Sequence, residues 1–345
     1  MTARLYVDHT HLGRTVTGIE RITIELFSDA ALAPLHLEPV SGGSTARLMA
    51  AQQLGLPARL FADRDAVVLC PGFPPSMPLT LIGGRRVIPY IHDCFLITRP
   101  DELNWRARLY MAPALRFCLK RLPFFLVNSE TTRAEVRRFC RPDAEIGLYR
   151  PVVRDVFGAA ASPHRRLELG GRLDLIAVGT LEPRKNLAAA AAIVHRLRER
   201  HGFNAHLHLV GRPGWGGEAE RLAALPDVIV HGYQPPERVR DLLASAHAFI
   251  STSHDEGLGL PLLEAQYAGL PVIAPDKPVF REVLGASGLF VDTLRPEEAA
   301  RAIAGNLSAD DAFATAARAA AANIARWNEA ATADRAAVVD RLSRL

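Results

Sequence analysis

The chain has 345 residues, of which 49% are hydrophobic, and it carries a formal net charge of +4. This length accommodates two α/β domains, and this hydrophobic content excludes a largely disordered chain. No apolar run approaches the roughly 20 residues that span a bilayer, and the amino terminus lacks the apolar core of a signal peptide. The four cysteines show neither zinc nor disulfide spacing, so we expect a cytoplasmic protein.

The first half of the chain alternates strand-like and helix-like stretches, which predicts a doubly wound parallel sheet. Gly18 opens the first predicted helix, and His92 lies at the end of the third predicted strand. Apolar, β-branched runs and helical spacing predict strands at 4–10, 65–71, 86–93 and 124–129, and helices at 18–32, 103–121 and 131–140.

Basic residues are concentrated between Arg85 and Arg154, where fourteen lysines and arginines stand against seven aspartates and glutamates. No nucleic-acid-binding motif accompanies them, which favours an anionic membrane surface or a phosphorylated acceptor, with a solvated face as the alternative.

A single helix over 103–121 would present basic residues mixed with Trp105 and Leu109 on its outer face, which suits an anionic leaflet. Pro113 can split or kink that helix. The residues predicted to be buried are Leu103, Tyr110, Met111, Ala114, Leu115 and Cys118, and the outer basic residues are Arg106, Arg108, Arg116 and Lys120.

Prolines and small residues interrupt the periodicity between 149 and 166, which predicts a linker between domains. Strands and helices alternate again beyond it. We therefore predict an amino-terminal domain at 1–155, a second domain at 156–322, and a terminal helix at 323–345 that can return to the first domain. The predicted architecture is two Rossmann-like domains whose parallel sheets face each other across a cleft.

The sequence VGTLEPRKNL, residues 178–187, carries two adjacent cations between a predicted strand and a predicted helix. Asn186 is positioned to cap that helix. Arg184 and Lys185 would lie at the carboxyl edge of the sheet, where an arginine fork and a mobile ammonium suit a diphosphate. The alternative is a solvated ion pair between Arg184 and Glu182.

A glycine-rich loop with two glutamates follows the predicted strand at 248–253. Glu256 lies in the loop, and Glu264 lies on the first turns of the next helix. A helix N-terminus attracts an anion such as phosphate. Because both acids flank this site for phosphate, we expect them to bind neutral hydroxyls beside it. A sugar attached to a diphosphate offers both groups. The alternative is a structural loop, since glutamate is favoured near any helix N-terminus.

Two other motifs point to different ligands and are incomplete. Gly257 and Gly259 match the start of a dinucleotide-binding fingerprint, but Leu262 occupies the position of its third glycine. Asp63 and Asp65 form a D-x-D pair of the kind that holds a divalent ion in GT-A enzymes, but they lie far along the chain from the phosphate loops. We interpret that pair as a surface turn and expect neither a cofactor nor a metal.

The motifs together resemble those of retaining glycosyltransferases of family 4, which have the GT-B fold. The resemblance covers nearly the whole carboxyl-terminal half and is looser in the amino-terminal half, where VDHTHLGRTVTGIER, YIHDCF and LVNSETTRAEV match. In the carboxyl-terminal half it is carried by EGLGLPLLEA, VGTLEPRKNL, HLVGRPGWGG (208–217) and VIVHGYQPPERVRDLLASA (228–246). The form VGTLEPRKN is typical of bacterial enzymes that build polysaccharides or lipopolysaccharide O-chains, often with mannose.

The resemblance implies a role for each charged residue of these loops. Glu264 would bind the ribose hydroxyls of the donor, and Glu256 would face the donor sugar and the side of acceptor attack. Arg184 and Lys185 would hold the diphosphate and offset the charge on the leaving group.

The resemblance also implies contacts for uncharged or more distant positions. The backbone at Gly257, Leu258 and Gly259 would meet the sugar and phosphate, while Arg212 would approach the base or phosphates unless it is a surface residue. His92 would enter the cleft near the reacting sugar, with a structural histidine as the alternative. Gly18 would let backbone approach the diphosphate, or would form a plain turn.

The function implied is retaining, metal-independent transfer of a hexose, with mannose favoured, from a nucleotide-diphosphate sugar to a glycan or lipid-linked glycan. GDP-mannose is the favoured donor, and the setting is cell-surface polysaccharide biosynthesis on the inner face of the cytoplasmic membrane. The alternatives are a non-catalytic GT-B nucleotide-sugar-binding protein and a GT-B nucleotide-sugar epimerase. The full set of site groups disfavours the first, and no acid/base residues can be assigned for the second.

Overall fold

The structure is a computed structural model that describes residues 4–13, 18–100, 105, 107–157, 167 and 170–345. The chain divides into two compact units. The amino-terminal unit comprises Met1–Val152 and Glu329–Leu345, and the carboxyl-terminal unit comprises Val153–Asn328. Each unit is built around one six-stranded sheet among the described residues.

The sheet of the amino-terminal unit contains strands β1 (Leu5–Asp8), β2 (Leu37–Val40), β3 (Val67–Cys70), β4 (Val87–Ile91), β5 (Phe124–Val127) and β6 (Glu145–Leu148). Their spatial order is β2-β1-β3-β4-β5-β6, and the pairings are parallel. The helices are α1 (Gly18–Leu26), α2 (Thr45–Ala50), α3 (Leu56–Ala62), α4 (Met77–Gly83), α5 (Phe95–Thr98), α6 (Ala112–Arg121) and α7 (Glu130–Phe139).

The sheet of the carboxyl-terminal unit contains β7 (Arg172–Val178), β8 (Asn204–Val210), β9 (Val228–Gly232), β10 (Ala248–Ile250), β11 (Val272–Pro275) and β12 (Gly288–Val291). Its helices are α8 (Leu187–His201), α9 (Glu218–Ala223), α10 (Pro236–Ser245), α11 (Leu260–Tyr267), α12 (Pro278–Leu284), α13 (Pro296–Leu307) and α14 (Ala312–Ser343), whose last residues belong to the amino-terminal unit. The strand order is β12-β11-β10-β7-β8-β9, and the pairings are parallel. The order reverses between β7 and β10, which makes their carboxyl ends the switch point of the sheet.

Alternation along β7 and β8 fixes the core on which the site is built. Leu175 and Leu207 point to one face of the sheet, where they join Ile193 of α8 and Ile303 of α13 in one fully buried cluster. On α8, Leu187, Ala190, Val194 and Leu197 recur at helical spacing and form one apolar stripe that faces the sheet. This packing holds α8, and therefore the loop that precedes it, against the end of β7.

The single helix predicted for 103–121 is corrected. Residues 107–111 form a π-helical turn, and α6 begins at Ala112 with Pro113 in its first turn, where a missing N–H breaks no helical hydrogen bond. The change of register leaves Tyr110 60% exposed rather than buried. Leu115 and Cys118 are buried as predicted. Met111 and Ala114 are half-buried, and Leu103 and Arg106 lie outside the described residues.

The D-x-D sequence lies at the surface between α3 and β3. Asp63 ends α3, and its side chain accepts a hydrogen bond from the backbone N–H of Asp65 at 3.0 Å. Arg64 and Asp65 are exposed in the turn that follows. The pair thus occupies a local Asx turn in the amino-terminal unit, as the sequence indicated.

Candidate active site

Two loops leave the carboxyl edge of the second sheet at its switch point. Residues 179–186 connect β7 to α8, and residues 251–259 connect β10 to α11. A cavity lies between them, and its lining includes Gly179, Thr180, Lys185, Ser253, Glu256 and Gly259. Ligands of open α/β sheets bind at such an edge, which makes this cavity the candidate active site of the unit.

Glu256 is the centre of a hydrogen-bonded ion cluster in this cavity. Lys185 Nζ lies 2.6 Å from Glu256 Oε1, and Ser253 Oγ donates to the same oxygen at 2.7 Å. Arg184 Nη1 donates to Glu256 Oε2 at 3.0 Å. Burial alone would raise the pKa of Glu256, but Lys185 and Arg184 outweigh it and lower that pKa to about 2. The carboxylate is therefore ionised and accepts all three hydrogen bonds.

Arg184 makes protein contacts on both of its terminal nitrogens. Nη2 donates to Glu182 Oε1 at 2.7 Å, and Nη1 also donates to the carbonyl oxygen of Asp255 at 2.9 Å. The side chains of Arg184 and Glu182 are only 19% and 9% exposed, so their ion pair is not the solvated one considered from the sequence. Arg184 is not among the described residues that line the cavity.

Asn186 precedes α8 in a left-handed conformation, with φ of 48°. Within the described residues of the first helical turn, its side chain makes no capping hydrogen bond, so the predicted side-chain cap is wrong. Asparagine tolerates the left-handed conformation that this tight turn requires. Thr252 Oγ1 donates to the carbonyl oxygens of Asn186 and Lys185 at 2.8 and 3.2 Å, which ties the two loops together.

Glu264 is a buried residue of α11, the helix that begins after the glycine-rich loop, and is 7% exposed. Gly259 starts the helix with φ of 80°, and a Cβ there would lie 2.8 Å from Leu262 Cδ1. Leu258 is buried, and Gly257 lies in the loop before it. The structure brings Lys185, Glu256 and Gly259 together around the cavity, whereas Glu264 is not among the described residues that line it.

Arg212 lies in the loop after β8, next to the loop that carries Lys185. Leu181 N donates to the carbonyl oxygen of Arg212 at 2.9 Å. A Cβ at Gly211 would lie 1.8 Å from the carbonyl oxygen of Gly179, so this approach of the two loops requires glycine. The Arg212 guanidinium stacks over the exposed ring of Tyr233, 4.5 Å from its centroid. Arg212 is not among the described residues that line the cavity.

His92 follows β4 at the carboxyl edge of the amino-terminal sheet. Its Nε2 lies 2.7 Å from the carbonyl oxygen of Pro71, which can only accept, so the ring proton is on Nε2. Burial lowers the pKa of His92 to about 4, against the smaller opposing effect of the Pro71 carbonyl. The imidazole is therefore neutral at neutral pH. Gly18 is exposed at the start of α1, and no described residue beyond its chain neighbours and helix lies within 4 Å of the position that a Cβ would occupy.

Residues 172–309 match the family model described as Glycosyl transferases group 1. This range is therefore similar to the group 1 glycosyltransferases. The matched range contains both loops of the candidate site. It includes Arg184, Lys185, Glu256 and Glu264.

Two similar proteins are mannosyltransferases by name. The O-antigen chain mannosyltransferase B of Escherichia coli is 27% identical over 219 residues, which are 60% of this chain and 58% of that protein. The serotype-specific mannosyltransferase WbdA of Escherichia coli is 35% identical over 134 residues, or 37% of this chain and 16% of WbdA. The chain thus spans less than two thirds of the length of either relative.

A solved structure gives the fold of the whole chain. Anabaena Alr3699/HepE in complex with UDP and glucose superposes with a TM-score of 0.71 over 99% of this chain and all of that one, at 15% sequence identity. The GT-B fold class predicted from the sequence, with two Rossmann-like units and parallel sheets, is confirmed at the level of fold.

Some residues of the matched range that shape the site were not singled out from the sequence. Ser253 bonds Glu256, and Thr252 ties the two loops. Lys277 Nζ donates to the carbonyl oxygen of His254 in the glutamate loop. The signal for the first two was the run of small hydroxyl residues at the end of a predicted strand. Lys277 offered no signal beyond its place after the next strand.

Proposed function

We propose that the protein is a retaining glycosyltransferase that moves a hexose from a nucleotide-diphosphate sugar to a glycan or lipid-linked glycan acceptor. The observation that carries this proposal is the shared cavity of Lys185 and Glu256 at the switch point of a sheet whose range is similar to the group 1 glycosyltransferases. An ammonium there suits the diphosphate, and an ionised carboxylate accepts hydrogen bonds from sugar hydroxyls.

The proposed reaction exchanges one bond at the anomeric carbon of the donor sugar. The bond from that carbon to the diphosphate oxygen breaks, and a bond to the acceptor oxygen forms on the same face. The proton of the acceptor hydroxyl moves to the departing phosphate oxygen. Lys185 stabilises the negative charge that accumulates on the leaving diphosphate. Positive charge from Lys185 and from the N-terminus of α8 is proposed to suffice without a metal.

The family resemblance supports roles for the remaining site residues, of which Glu264 and Arg212 are not among the described residues that line the cavity. Glu264 is proposed to bind the ribose hydroxyls, and the backbone at 257–259 to meet the sugar and phosphate. Arg212 is proposed to approach the base. In the amino-terminal unit, His92 is proposed to act as a neutral hydrogen-bonding group, with the backbone at Gly18 open to a phosphate.

GDP-mannose is the proposed donor. The support is that two relatives, O-antigen chain mannosyltransferase B and WbdA, are mannosyltransferases by name. Those names also support cell-surface polysaccharide as the proposed product.

The test combines binding with turnover. Unfolding temperatures would be measured with GDP-, UDP- and ADP-sugars, since a ligand that binds only the native state raises its stability. The donor that binds would then be incubated alone and with a mannose-containing glycan. We expect GDP-mannose to raise the unfolding temperature and to be consumed only with acceptor. Stabilisation by no nucleotide sugar, or conversion of the donor sugar without acceptor, would contradict the proposal.

We also propose that the amino-terminal unit contacts an anionic membrane surface. Trp105 and Leu109 are 66% and 59% exposed, and exposed Arg108, Arg116 and Lys120 lie along the same segment. Apolar residues interleaved with cations suit an anionic leaflet. The described residues include no helix long and apolar enough to cross a membrane.

Co-sedimentation with liposomes tests this contact. We expect binding that rises with the content of anionic lipid and falls in a Trp105→Ala, Leu109→Ala variant. Binding that ignores lipid charge would contradict the proposal. Phe61→Ala, which removes an exposed aromatic residue outside 103–121, is the matched control.

A further inference from the structure

We propose that Glu182 and Arg184 form a brace that positions the loop of Asp255 and Glu256, and that neither side chain of the brace contacts the substrate. Both are positioning residues, whereas Lys185, the next residue, is the group that meets the diphosphate. This inference rests on the proposed transferase function for its catalytic consequence, but its structural content can be measured without turnover.

The contacts of Arg184 run from one loop to the other. Its guanidinium joins Glu182 Oε1, the Asp255 carbonyl oxygen and Glu256 Oε2, at 2.7, 2.9 and 3.0 Å. Its own carbonyl oxygen accepts a hydrogen bond from His254 N at 2.9 Å. An arginine fork that holds two carboxylates and a carbonyl in one plane fixes the geometry of the loop more tightly than a single ion pair does.

The side chains of Arg184 and Lys185 are equally exposed, at 19% each, and it is the lining of the cavity that separates the two cations. Lys185 and Glu256 line the cavity, whereas Arg184 and Glu182 are not among the described lining residues. The Lys185 ammonium also lies 3.9 Å from the position that a Cβ on Gly179 would occupy, beside backbone that lines the cavity. A diphosphate in the cavity would therefore reach Lys185 without displacing the contacts of Arg184.

The negative charge of Glu182 distinguishes a positioning role from a substrate-binding role. A buried carboxylate near a diphosphate opposes its binding, so Glu182 is unfavourable as a substrate-binding group. If Glu182 acted only through its electrostatic repulsion of the diphosphate, removing its charge would leave donor affinity unchanged or increase it. Removing the brace would free Arg184 and loosen the Asp255–Glu256 loop, which lowers turnover because the reacting groups are misplaced.

Hydrogen exchange measures the brace directly. In Glu182→Gln, we expect the backbone amides of 254–257 to exchange at least tenfold faster than in the wild type, with the amides of β7 and β8 unchanged. The matched control is Glu199→Gln, which removes an exposed partner of Arg196 on α8 and should leave exchange at 254–257 unchanged. Wild-type exchange at 254–257 in Glu182→Gln would overturn the brace.

Turnover then tests the catalytic consequence. We expect kcat of Glu182→Gln to fall at least tenfold while the affinity for the free nucleotide stays equal or rises. The double variant Glu182→Gln, Arg184→Gln should be no slower than Arg184→Gln alone, because the two residues act as one unit. Weaker nucleotide binding with unchanged kcat would instead make Arg184 a substrate contact and overturn the proposal.

Two further results keep the outcomes distinct. If Glu182→Gln does not fold, Glu182→Asp, which keeps the charge on a shorter side chain, should show an intermediate increase in exchange; wild-type exchange in that variant would overturn the brace. If the wild type transfers no sugar but Glu182→Gln exchanges faster at 254–257, the brace stands and the proposed function fails. An active wild type with unchanged exchange in the variant gives the opposite conclusion.

Discussion

Lys185 Nζ and Glu256 Oε1 lie 2.6 Å apart, although 71 positions separate the two residues in the chain. The parallel sheet produces this contact, because β7 and β10 are neighbours and both loops leave the same edge. The pair holds a half-buried ammonium against the cavity before any ligand arrives. Such preorganised charge is the form in which proteins stabilise a developing anion most effectively.

Replacing Lys185 by Gln should lower turnover far more than it lowers donor binding. The ammonium is proposed to stabilise the charge that appears on the departing diphosphate, and the loss of one such donor costs roughly 100- to 1000-fold in kcat. Steady-state kinetics and nucleotide titration separate the two effects. The control is Arg196→Gln, an exposed cation on α8 that should leave both unchanged. An unaltered kcat in Lys185→Gln would remove this residue from the leaving-group role.

Replacing Glu264 by Gln should weaken the binding of the free nucleoside diphosphate and of the sugar donor to a similar extent. A charged hydrogen bond to a hydroxyl contributes about 1.5–3 kcal/mol, or roughly 10- to 100-fold in affinity. Calorimetric titration of both ligands measures this, with Glu199→Gln as the control. If donor binding weakened but binding of the free nucleotide did not, the ribose would not be the partner of Glu264.

Acid should remove the stability that Glu256 contributes. Its pKa of about 2 in the folded protein is below the ordinary value of 4.5, so the unfolded chain takes up the proton first. The contribution is complete above about pH 4.5 and is lost as the pH falls towards 2, with about 2 kcal/mol gone by pH 3. Urea denaturation of wild type and Glu256→Gln at pH 7, 5 and 3 measures the difference between them.

We expect the advantage of the wild type over Glu256→Gln to shrink between pH 5 and pH 3. At pH 7 the variant also leaves Arg184 and Lys185 without their shared partner, which adds to the difference. Glu199→Gln, at an exposed position, should show a small difference at every pH. A wild-type advantage that is constant from pH 7 to pH 3 would show that Glu256 is not the ionised centre of the cluster.

His92 should titrate near pH 4, well below an ordinary histidine, because burial disfavours its charged form. Histidine NMR signals followed from pH 7.5 to pH 3.5, with His92 assigned from His92→Gln, would show this midpoint directly. A midpoint near 6.5 for His92 would mean that the ring is solvated and charged at mildly acidic pH, against its proposed neutral role.

Much of the fold was predictable because the sheets are parallel and buried. Runs such as AVVLC and LDLIAV can satisfy their backbone only as strands in a covered sheet, and the alternation with amphipathic helices then allows few topologies. The 103–121 segment was wrong for a local reason. Pro113 shifts the start of α6, and the π-helical turn before it changes which side of the helix Tyr110 occupies.

The candidate site was predictable in position but not in its contacts. Strand-end loops with Lys185 and Glu256 could be assigned to one sheet edge, because parallel strands end together. Nothing in VGTLEPRKNL distinguishes Arg184 from Lys185, since both are cations in one turn. Only the direction in which each side chain leaves the turn separates them, and that depends on the left-handed Asn186 and on packing against the 254–256 loop.

The most direct test of the central claim follows the ammonium signal of Lys185 by nitrogen NMR during nucleotide titration. The chain has three lysines, Lys120, Lys185 and Lys277, so each signal can be assigned with single Lys→Arg variants. Saturating nucleoside diphosphate should shift the signal of Lys185 and leave that of Lys120 unchanged. A nucleotide that stabilises the protein yet leaves the Lys185 signal in place would show that the diphosphate binds elsewhere, and would contradict the account.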